Sequence, residues 1–358
     1  GLWQKGALGV AAVALVALGM LTWRQASIYR DEETFNRHII TLNPQARNAH
    51  RHLSKALYNQ GRYEEALDAA RVAVEQRPDY FKTHTTLGQV LTALGRYEEA
   101  EKPLRRAIAL NPQARNIHGH LGKGLYNQGR YEEALDAYRV AVAQRPDDAE
   151  LHINLSAILS RLGHYGETET HLRRAIALNP QAKIAHFNLS DALYNQGRYE
   201  EALDAIRFVI EQDSDFLEAH INLSAILNAL GRSDEAETHL RRAIELNPQN
   251  VDLVRRLAEI LMPQGRYEEA LDLIAQAVAL DPASSQAAEL NFLIGQTAQD
   301  NGQPEVAAEY YMRAFDIDPH HTQAIRRLAH LRLEQQRYDE ALELFQRLTD
   351  IDPSDAVA

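Results

Sequence analysis

The chain has 358 residues, of which 38 are Lys or Arg and 50 are Asp or Glu, so its formal net charge is −12. An acidic chain argues against a nucleic-acid partner, because nucleic-acid binding depends on clustered positive charge. The absence of cysteine excludes disulfides, thiol catalysis and cysteine metal sites. Hydrophobic residues make up 45% of the chain, which argues against disorder.

The chain opens with an apolar segment. Residues 6–23 carry no charge, Trp3 and Trp23 stand at its two ends, and Lys5 and Arg24 flank it. Eighteen helical residues span about 27 Å, the lower end of what crosses a bilayer core. Residues 1–24 are therefore predicted to form a hydrophobic, transmembrane-like helix.

Three interpretations of this segment compete. A cleaved signal peptide is disfavoured, because no A-x-A site follows the segment. A single membrane anchor is the simplest interpretation. In the third, the helix is buried in an assembly of like helices, because Ala7, Ala11 and Ala14 fall on one face and permit close approach.

The rest of the chain is repetitive. The stretch LYNQGRYEEALDA at 57–69 recurs letter for letter at 125–137 and 193–205, and in a decayed form from residue 261. We call the segment from the start of one copy to the start of the next the long repeat. Glycines recur at half this spacing, and prolines keep the same step. The glycines are Gly61, Gly95, Gly129, Gly163, Gly197, Gly231 and Gly265. A three-residue insertion near 283–287 interrupts the phase, which Gly302 and Pro319 then resume.

These features resemble the tetratricopeptide repeat, a helix-turn-helix of about 34 residues. In the repeat at 115–146, Leu121 and Gly122 match the family's first helix, Gly129 the turn, and Tyr131 and Ala134 the second helix. The resemblance implies an all-α, right-handed solenoid of about nine repeats over residues 47–353, with a tail at 354–358. It also implies a concave groove lined by the first helix of each repeat.

Residues 25–46 look like the second helix of a partial repeat whose first helix is replaced by the apolar segment. No Gly or Pro lies between Met20 and Leu42. The sequence therefore predicts one long N-terminal hydrophobic helix, continuous from about Trp3 to Leu42.

Neither catalysis nor metal binding is predicted. One His per repeat recurs at the family's first aromatic position, which favours stacking between helices, since a metal site needs three or four converging ligands. The Glu-Glu pairs of RYEEAL lie at helix starts, where solvated acids are expected. With no catalytic or phosphate-binding motif in the chain, we expect a protein that is not an enzyme and has no cofactor.

The expected groove has two sets of candidate contacts. Asn154, Asn188 and Asn222 occupy one position of the first helix in successive repeats. They resemble the asparagine ladder of nucleocytoplasmic sugar transferases with such repeats, which implies a grip on a peptide backbone, whose donor and acceptor an amide matches. Simple polar groove lining is the alternative.

Tyr58, Tyr126 and Tyr194, each followed by Asn, project towards the groove at every second repeat. They are expected either to contact a partner or to stack within the array.

The end of the chain suggests self-association. The last helix carries Leu342, Phe345 and Leu348 with no further helix in sequence to cover them. Two unlike apolar ends favour a head-to-tail contact, which forms filaments where it does not close into a ring. The alternatives are that the chain was truncated or that the final face is polar enough to stand alone.

A second, narrower resemblance covers residues 23–50, including Tyr29 and Asp31. This stretch resembles the junction in multi-spanning membrane glycosyltransferase-like proteins between the last spanning helix and a C-terminal repeat array. It implies an array facing away from the cytoplasm, which Arg24 and Arg30 oppose weakly. The catalytic acids of that family lie in upstream segments, so no residue here inherits their role.

Two functional hypotheses follow. The first is a non-catalytic protein-protein interaction and assembly scaffold that is membrane-associated or extracellular and self-associates through Ala7, Ala11, Ala14, Phe345 and Leu348. The second is the substrate- or partner-binding arm of a membrane glycosyltransferase. Both expect a protein or peptide partner, a membrane contact through residues 3–23, and no nucleic acid.

Overall fold

The computed structural model describes residues 31–280 and 285–351, and every regular element in those ranges is helical. The α-helices in chain order are α1 Glu32–Leu42, α2 Ala49–Asn59, α3 Tyr63–Gln76, α4 Phe81–Ala93, α5 Tyr97–Leu110, α6 Ile117–Asn127, α7 Tyr131–Gln144, α8 Ala149–Arg161, α9 Tyr165–Leu178, α10 Lys183–Asn195, α11 Tyr199–Gln212, α12 Leu217–Ala229, α13 Ser233–Leu246, α14 Val251–Leu261, α15 Tyr267–Leu280, α16 Ser285–Asp300, α17 Pro304–Ile317, α18 Thr322–Glu334 and α19 Tyr338–Ile351. A short 3₁₀ helix, Met262–Gln264, follows α14. The chain divides into two compact units, residues 1–185 and 186–358.

The first described helix has a defined start. Asp31 is extended (φ −152°, ψ 163°), and its carboxylate accepts a hydrogen bond from the Thr34 amide at 2.7 Å. An aspartate at this position caps a helix by satisfying an amide that has no partner within the helix. The prediction of one continuous helix through residue 31 is therefore wrong at Asp31, where the cap separates α1 from what precedes it.

The predicted transmembrane-like helix and its proposed contact residues Ala7, Ala11 and Ala14 lie outside the described residues. Among the helices that are described, none is both long and apolar enough to cross a membrane. Helix α1 packs against α2. The second helix of later repeats packs in the same way against the first helix of the repeat that follows.

The other eighteen helices of the described ranges pair into nine helix-turn-helix repeats, from α2/α3 to α18/α19. As predicted, the glycine has a left-handed backbone in every described turn that contains one, for example φ +77° at Gly129. The amide of the residue after the glycine then bonds back to the first helix, as Arg130 N–H does to the Leu125 carbonyl at 3.0 Å. The last turn has no glycine, and Gln336 takes the left-handed conformation with φ 60°.

In some pairs, a glycine of the first helix receives a large residue of the second. A Cβ added to Gly122 would lie 2.5 Å from Cδ2 of Tyr138, and Gly295 faces Tyr311 at the same distance. Tyr138 is 4% exposed and Tyr311 is fully buried. The glycine thus makes the space that the aromatic ring fills, which holds the two helices at a fixed distance.

Alanines form the seam between the paired helices. Ala66, Ala100, Ala134 and Ala202 are fully buried, as the sequence predicts for positions where two helices touch. Small side chains at these sites allow the backbones to approach closely. The core between the paired helices of each repeat is therefore made of small and branched side chains. The clefts described below lie on the surface of the repeats.

Candidate functional site: a polar groove in the first unit

First helices of four consecutive repeats, α2, α4, α6 and α8, line a groove in the first unit. Its volume is about 480 Å³, within the range of ligand-binding clefts. Its walls are mostly polar, and they include Tyr58, Gln89, His120, Lys123 and Asn154. The groove therefore offers hydrogen-bonding groups from several repeats in one cleft.

Asn154 is the candidate asparagine that lies in this groove. Its side chain is half-buried and makes no hydrogen bond to another described residue. Asn188 and Asn222 belong to the second unit, where each is half-buried in the same way. Asn154 therefore has both its donor and its acceptor available, as a contact to a peptide backbone requires.

The candidate tyrosines stack within the array, and their contact with a partner stays a prediction. Tyr58 packs against Tyr63 of its own repeat, with ring centroids 5.4 Å apart, and also lines the groove. Tyr126 packs in the same way on Tyr131. These rings are therefore held in place by a neighbour, so a partner would meet a fixed aromatic wall.

Tyr194 takes the same position in the second unit. It packs on Tyr199 at 5.4 Å and lines a smaller cleft of about 280 Å³, whose walls also include Asn228 and Arg256. The Arg256 guanidinium is held by the Asp252 carboxylate at 2.7 Å.

The charges of the first groove are balanced along its rim. Burial, with smaller effects of Lys123 and Arg145, lowers the pKa of His120 to about 4, so His120 is neutral at physiological pH. Arg145 pairs with Asp148 at 2.7 Å, and Asp148 also accepts hydrogen bonds from the first amides of α8. A neutral imidazole can donate or accept a hydrogen bond without demanding a charged partner.

The repeated histidines stack between helices, which confirms that prediction for three of them. His152 and His171 face each other with Nδ1 atoms 2.9 Å apart, and His220 and His239 do so at 3.0 Å. His186 stacks on Phe208 with centroids 3.9 Å apart. Among the described residues no group of three or more His, Asp or Glu side chains is arranged to hold a metal ion.

The donors in the first histidine pair follow from geometry. His152 Nε2 lies 3.0 Å from the Pro146 carbonyl oxygen, which can only accept. Nε2 of His152 therefore carries the proton, and its Nδ1 accepts from His171 Nδ1–H when both rings are neutral. A further proton on His152 Nδ1 would place two N–H groups face to face.

Sequence reasoning missed a set of ion pairs that joins successive repeats. Glu101 of α5 binds Arg105 at 2.7 Å and Arg130 of the next repeat at 2.7 Å, and both arginines reach Glu133. We call this closed set of two Glu and two Arg a quartet. It recurs at residues 33, 37, 62 and 65 and at residues 237, 241, 266 and 269.

The signal for the quartets was present in the repeat pattern. Glu33, Glu101 and Glu237 each stand four residues before an arginine, and they are separated by one long repeat or a multiple of it. The glutamate pairs of RYEEAL were expected to be solvated, and they are exposed except for the half-buried Glu269. The second glutamate of a pair nevertheless binds the arginine at the turn. Arg96 and Glu99, 2.7 Å apart, are an example.

The last helix of the array differs from the prediction in part. Leu348 is 4% exposed, because α19 folds it onto its partner helix α18. Phe345 is half-buried against His330, with ring centroids 5.5 Å apart. The large apolar residues that are exposed on α19 are Leu342, at 58%, and Tyr338, at 64%.

Comparison with known proteins agrees with the repeat geometry. The family model described as the Cilia and flagella-associated protein 70 C-terminal domain matches residues 3–222. A second model, described as a tetratricopeptide repeat, matches residues 227–290 and 298–358. A search of the curated proteins found no significant match.

Solved structures share the fold at low sequence identity. The pilF structure from Pseudomonas aeruginosa is 20% identical and covers 60% of this chain and 98% of its own, with a TM-score of 0.53. A tetratricopeptide repeat protein from Parabacteroides merdae is 17% identical, with coverages of 70% and 98% and a TM-score of 0.53. The APC/C hetero-tetramer Cut9-Hcn1 is 13% identical, with coverages of 83% and 58% and a TM-score of 0.51.

The two family models agree with the nine helix-turn-helix repeats of the described residues and with their left-handed turns. The chain belongs to the tetratricopeptide repeat family described by the Cilia and flagella-associated protein 70 C-terminal domain model.

Proposed function

We propose that this protein is a non-catalytic interaction scaffold that binds an extended segment of a partner protein in the polar groove of the first unit. The observation that carries the proposal is the groove itself, in which four consecutive repeats contribute polar side chains to one cleft. Binding of protein or peptide partners is also what membership of the repeat family supports.

The groove suits a peptide backbone. The Asn154 amide has no partner among the described residues and can donate to a carbonyl while accepting from an amide. Tyr58, fixed by Tyr63, supplies an aromatic wall for a side chain of the partner. Lys123 adds a positive charge at the rim. Recognition would thus rest on backbone hydrogen bonds, with side-chain preference set by the walls.

A selection of random displayed peptides by the full chain tests this proposal. We expect the selected peptides to lose binding when Asn154, Asn188 and Asn222 are changed together to Ala, while helix content measured by circular dichroism stays the same. The single change Asn154→Ala should account for most of the loss in peptides that use the first unit. The exposed turn residue Asn301, changed to Ala, is the matched control. Selected peptides that bind the triple variant as well as the original chain would refute the role of the asparagines.

A second candidate function is self-association through the last helix. The exposed Tyr338 and Leu342 lie one turn apart on α19 and form an apolar surface there. Isolated exposed hydrophobic residues are common, but adjacent ones favour a contact. Sedimentation of the full chain and of Tyr338→Glu/Leu342→Glu tests this candidate: concentration-dependent association that the double change removes is the expected result, and a monomer at all concentrations rejects it.

The membrane-associated or extracellular location is the remaining part of the proposal. It is supported by the uncharged residues 6–23 and their flanking Trp and basic residues. The alternative, a partner-binding arm of a membrane glycosyltransferase, is supported by the resemblance at residues 23–50. Flotation of the full chain with lipid vesicles, compared with a chain starting at residue 31, tests the membrane contact.

A further inference from the structure

A second cleft of the first unit lies away from the polar groove and is apolar. It has a volume of about 520 Å³, and it is formed by α1, α2 and α3. Its walls include Ile40, His50, Leu53, Leu57, Ala69 and Val72. We call this cleft the His50 slot.

The same set of slot positions recurs one and two long repeats further along the chain, and we call its three occurrences the first, second and third copy. The third copy shows what such a slot accommodates. Positions 50, 69 and 72 correspond to His186, Ala205 and Phe208 in that copy. Phe208 stacks on His186 with ring centroids 3.9 Å apart. The third copy thus supplies its own aromatic ring, whereas the first copy has Val72 at that position.

The second copy has the same residues as the first. His118, Ala137 and Val140 take the three positions, and Val140 is 41% exposed. His118 Nδ1 is buried and has no hydrogen-bond partner among the described residues. Two of the three copies therefore have the histidine platform without the ring that covers it in the third.

The rim of the His50 slot carries Arg37, Glu65 and Asp68, so acids outnumber bases there. Glu65 is already bound by Arg62 and Arg37, but Asp68 is exposed and makes no ion pair within the described part of the chain. A partner that approaches the slot meets an unpaired negative charge at its edge. A basic residue beside the inserted side chain would complement that charge.

We infer that the His50 slot is a docking site for a partner segment that inserts one aromatic side chain, flanked by a Lys or Arg, so that its ring stacks on His50 as Phe208 stacks on His186. The ring would be enclosed by Ile40, Leu53, Leu57 and Ala69, and the basic neighbour would pair with Asp68. This site is independent of the polar groove, with which it shares no wall residue.

The variant Val72→Phe provides a direct test, because it builds into the first copy the ring that Phe208 provides in the third. We expect it to fill the slot from within, leave the midpoint of thermal unfolding unchanged or higher, and block the partner. The matched control is Val306→Phe, which adds the same ring at a valine of the second unit that is 36% exposed. His50→Ala is a second variant that removes the platform without filling the slot.

The probe is a displayed library of random short peptides selected on the full chain, with each selected peptide then synthesised and titrated. Peptides that use the slot should carry an aromatic residue next to Lys or Arg, and should bind Val72→Phe at least about tenfold more weakly. The variant Val306→Phe should bind these peptides with unchanged affinity, and His50→Ala should bind them more weakly. Asp68→Asn should lower the affinity only at low salt.

The inference is overturned if no selected peptide discriminates the original chain from Val72→Phe, or if the discriminated peptides bind equally after their aromatic residue is replaced by Ala. A selection that yields no peptide also counts against it. Peptides that are insensitive to Val72→Phe but lost on Asn154→Ala would support the polar groove and reject the slot, so the two proposals fail separately.

Discussion

At the scale of single residues, the contact between Gly122 and Tyr138 leaves no room for a larger side chain. We expect Gly122→Ala to lower the free energy of unfolding by about 1–3 kcal/mol, because the added Cβ would lie 2.5 Å from the ring. Urea unfolding followed by circular dichroism measures this. The control is Gly166→Ala in α9, whose added Cβ meets no atom within 4 Å, and which should be neutral or stabilise by about 0.5–1 kcal/mol. Equal effects of the two changes would contradict this account.

The last turn offers a residue that can be improved. Gln336 has φ 60°, a conformation that costs a residue with a Cβ about 1 kcal/mol relative to glycine. We therefore expect Gln336→Gly to raise the thermal stability of the last repeat. The reverse change at an equivalent turn, Gly129→Gln, should lower stability by a similar amount, since Gly129 has φ +77°. Proteolysis near the C-terminal repeat is a local measure of the first change.

At the scale of helices, the quartets hold successive repeats together in a pH-dependent way. Hydrogen bonds from Arg130 and Arg105 lower the pKa of Glu101 against the opposing effect of burial. A carboxyl whose pKa is lower in the folded state stabilises the fold above its unfolded pKa and loses that contribution as the pH falls through the folded value.

We expect Glu101→Gln to cost about 1 kcal/mol or less at neutral pH and low salt, and nothing at a pH where the original carboxyl is protonated. Unfolding free energies at both pH values and at two salt concentrations measure the difference. Glu98→Gln, an exposed glutamate of the same helix, is the control. A cost that persists at acid pH would show that Glu101 acts through packing instead.

The positions of the helices could be predicted from the sequence, but the contacts between helices could be predicted only in part. Gly129 and the letters around it fix a turn locally, so periodicity alone located the helix pairs. Leu348 was misjudged because its burial depends on how α19 lies against α18, which the pattern of one helix does not give. The quartets were missed for the same reason: Glu101 and Arg130 are distant in sequence and meet only because the stacking of repeats brings them together. The sequence around Asp31, an aspartate followed by Glu-Glu-Thr, is typical of a helix start. The prediction overlooked it because the absence of Gly and Pro favours a continuous helix.

At the scale of the whole molecule, the two pairs of facing histidines predict sensitivity to mild acid. Burial and the facing ring lower the pKa of both His171 and His239. Each therefore binds a proton less readily in the folded state, so its stabilising effect is complete above the ordinary histidine pKa and is lost as the pH falls through and below that value. Because the two histidine pairs lie in different units, we expect stability to decline in both.

The double change His171→Gln/His239→Gln tests this. It should flatten the decline in thermal midpoint between neutral pH and about pH 5, since glutamine keeps a hydrogen-bonding group but does not titrate. The control is His320→Gln, at an exposed histidine in the loop between α17 and α18. An unchanged pH profile in the double variant would assign the acid sensitivity to other groups, such as the quartet glutamates.

The alternation of the repeats has a consequence for how such a chain can change its length. Glu101 occupies a position where the neighbouring repeats carry Leu67 and Leu135, so these two repeats cannot supply the same quartet glutamate. The arginines that follow, Arg106, Arg174 and Arg242, pair with aspartates in the loops that close the other kind of repeat. A recombination event that removes or adds one whole long repeat keeps every such contact, whereas one of half that length puts two like repeats side by side and breaks them. Designed versions should therefore be lengthened by the whole pair of repeats.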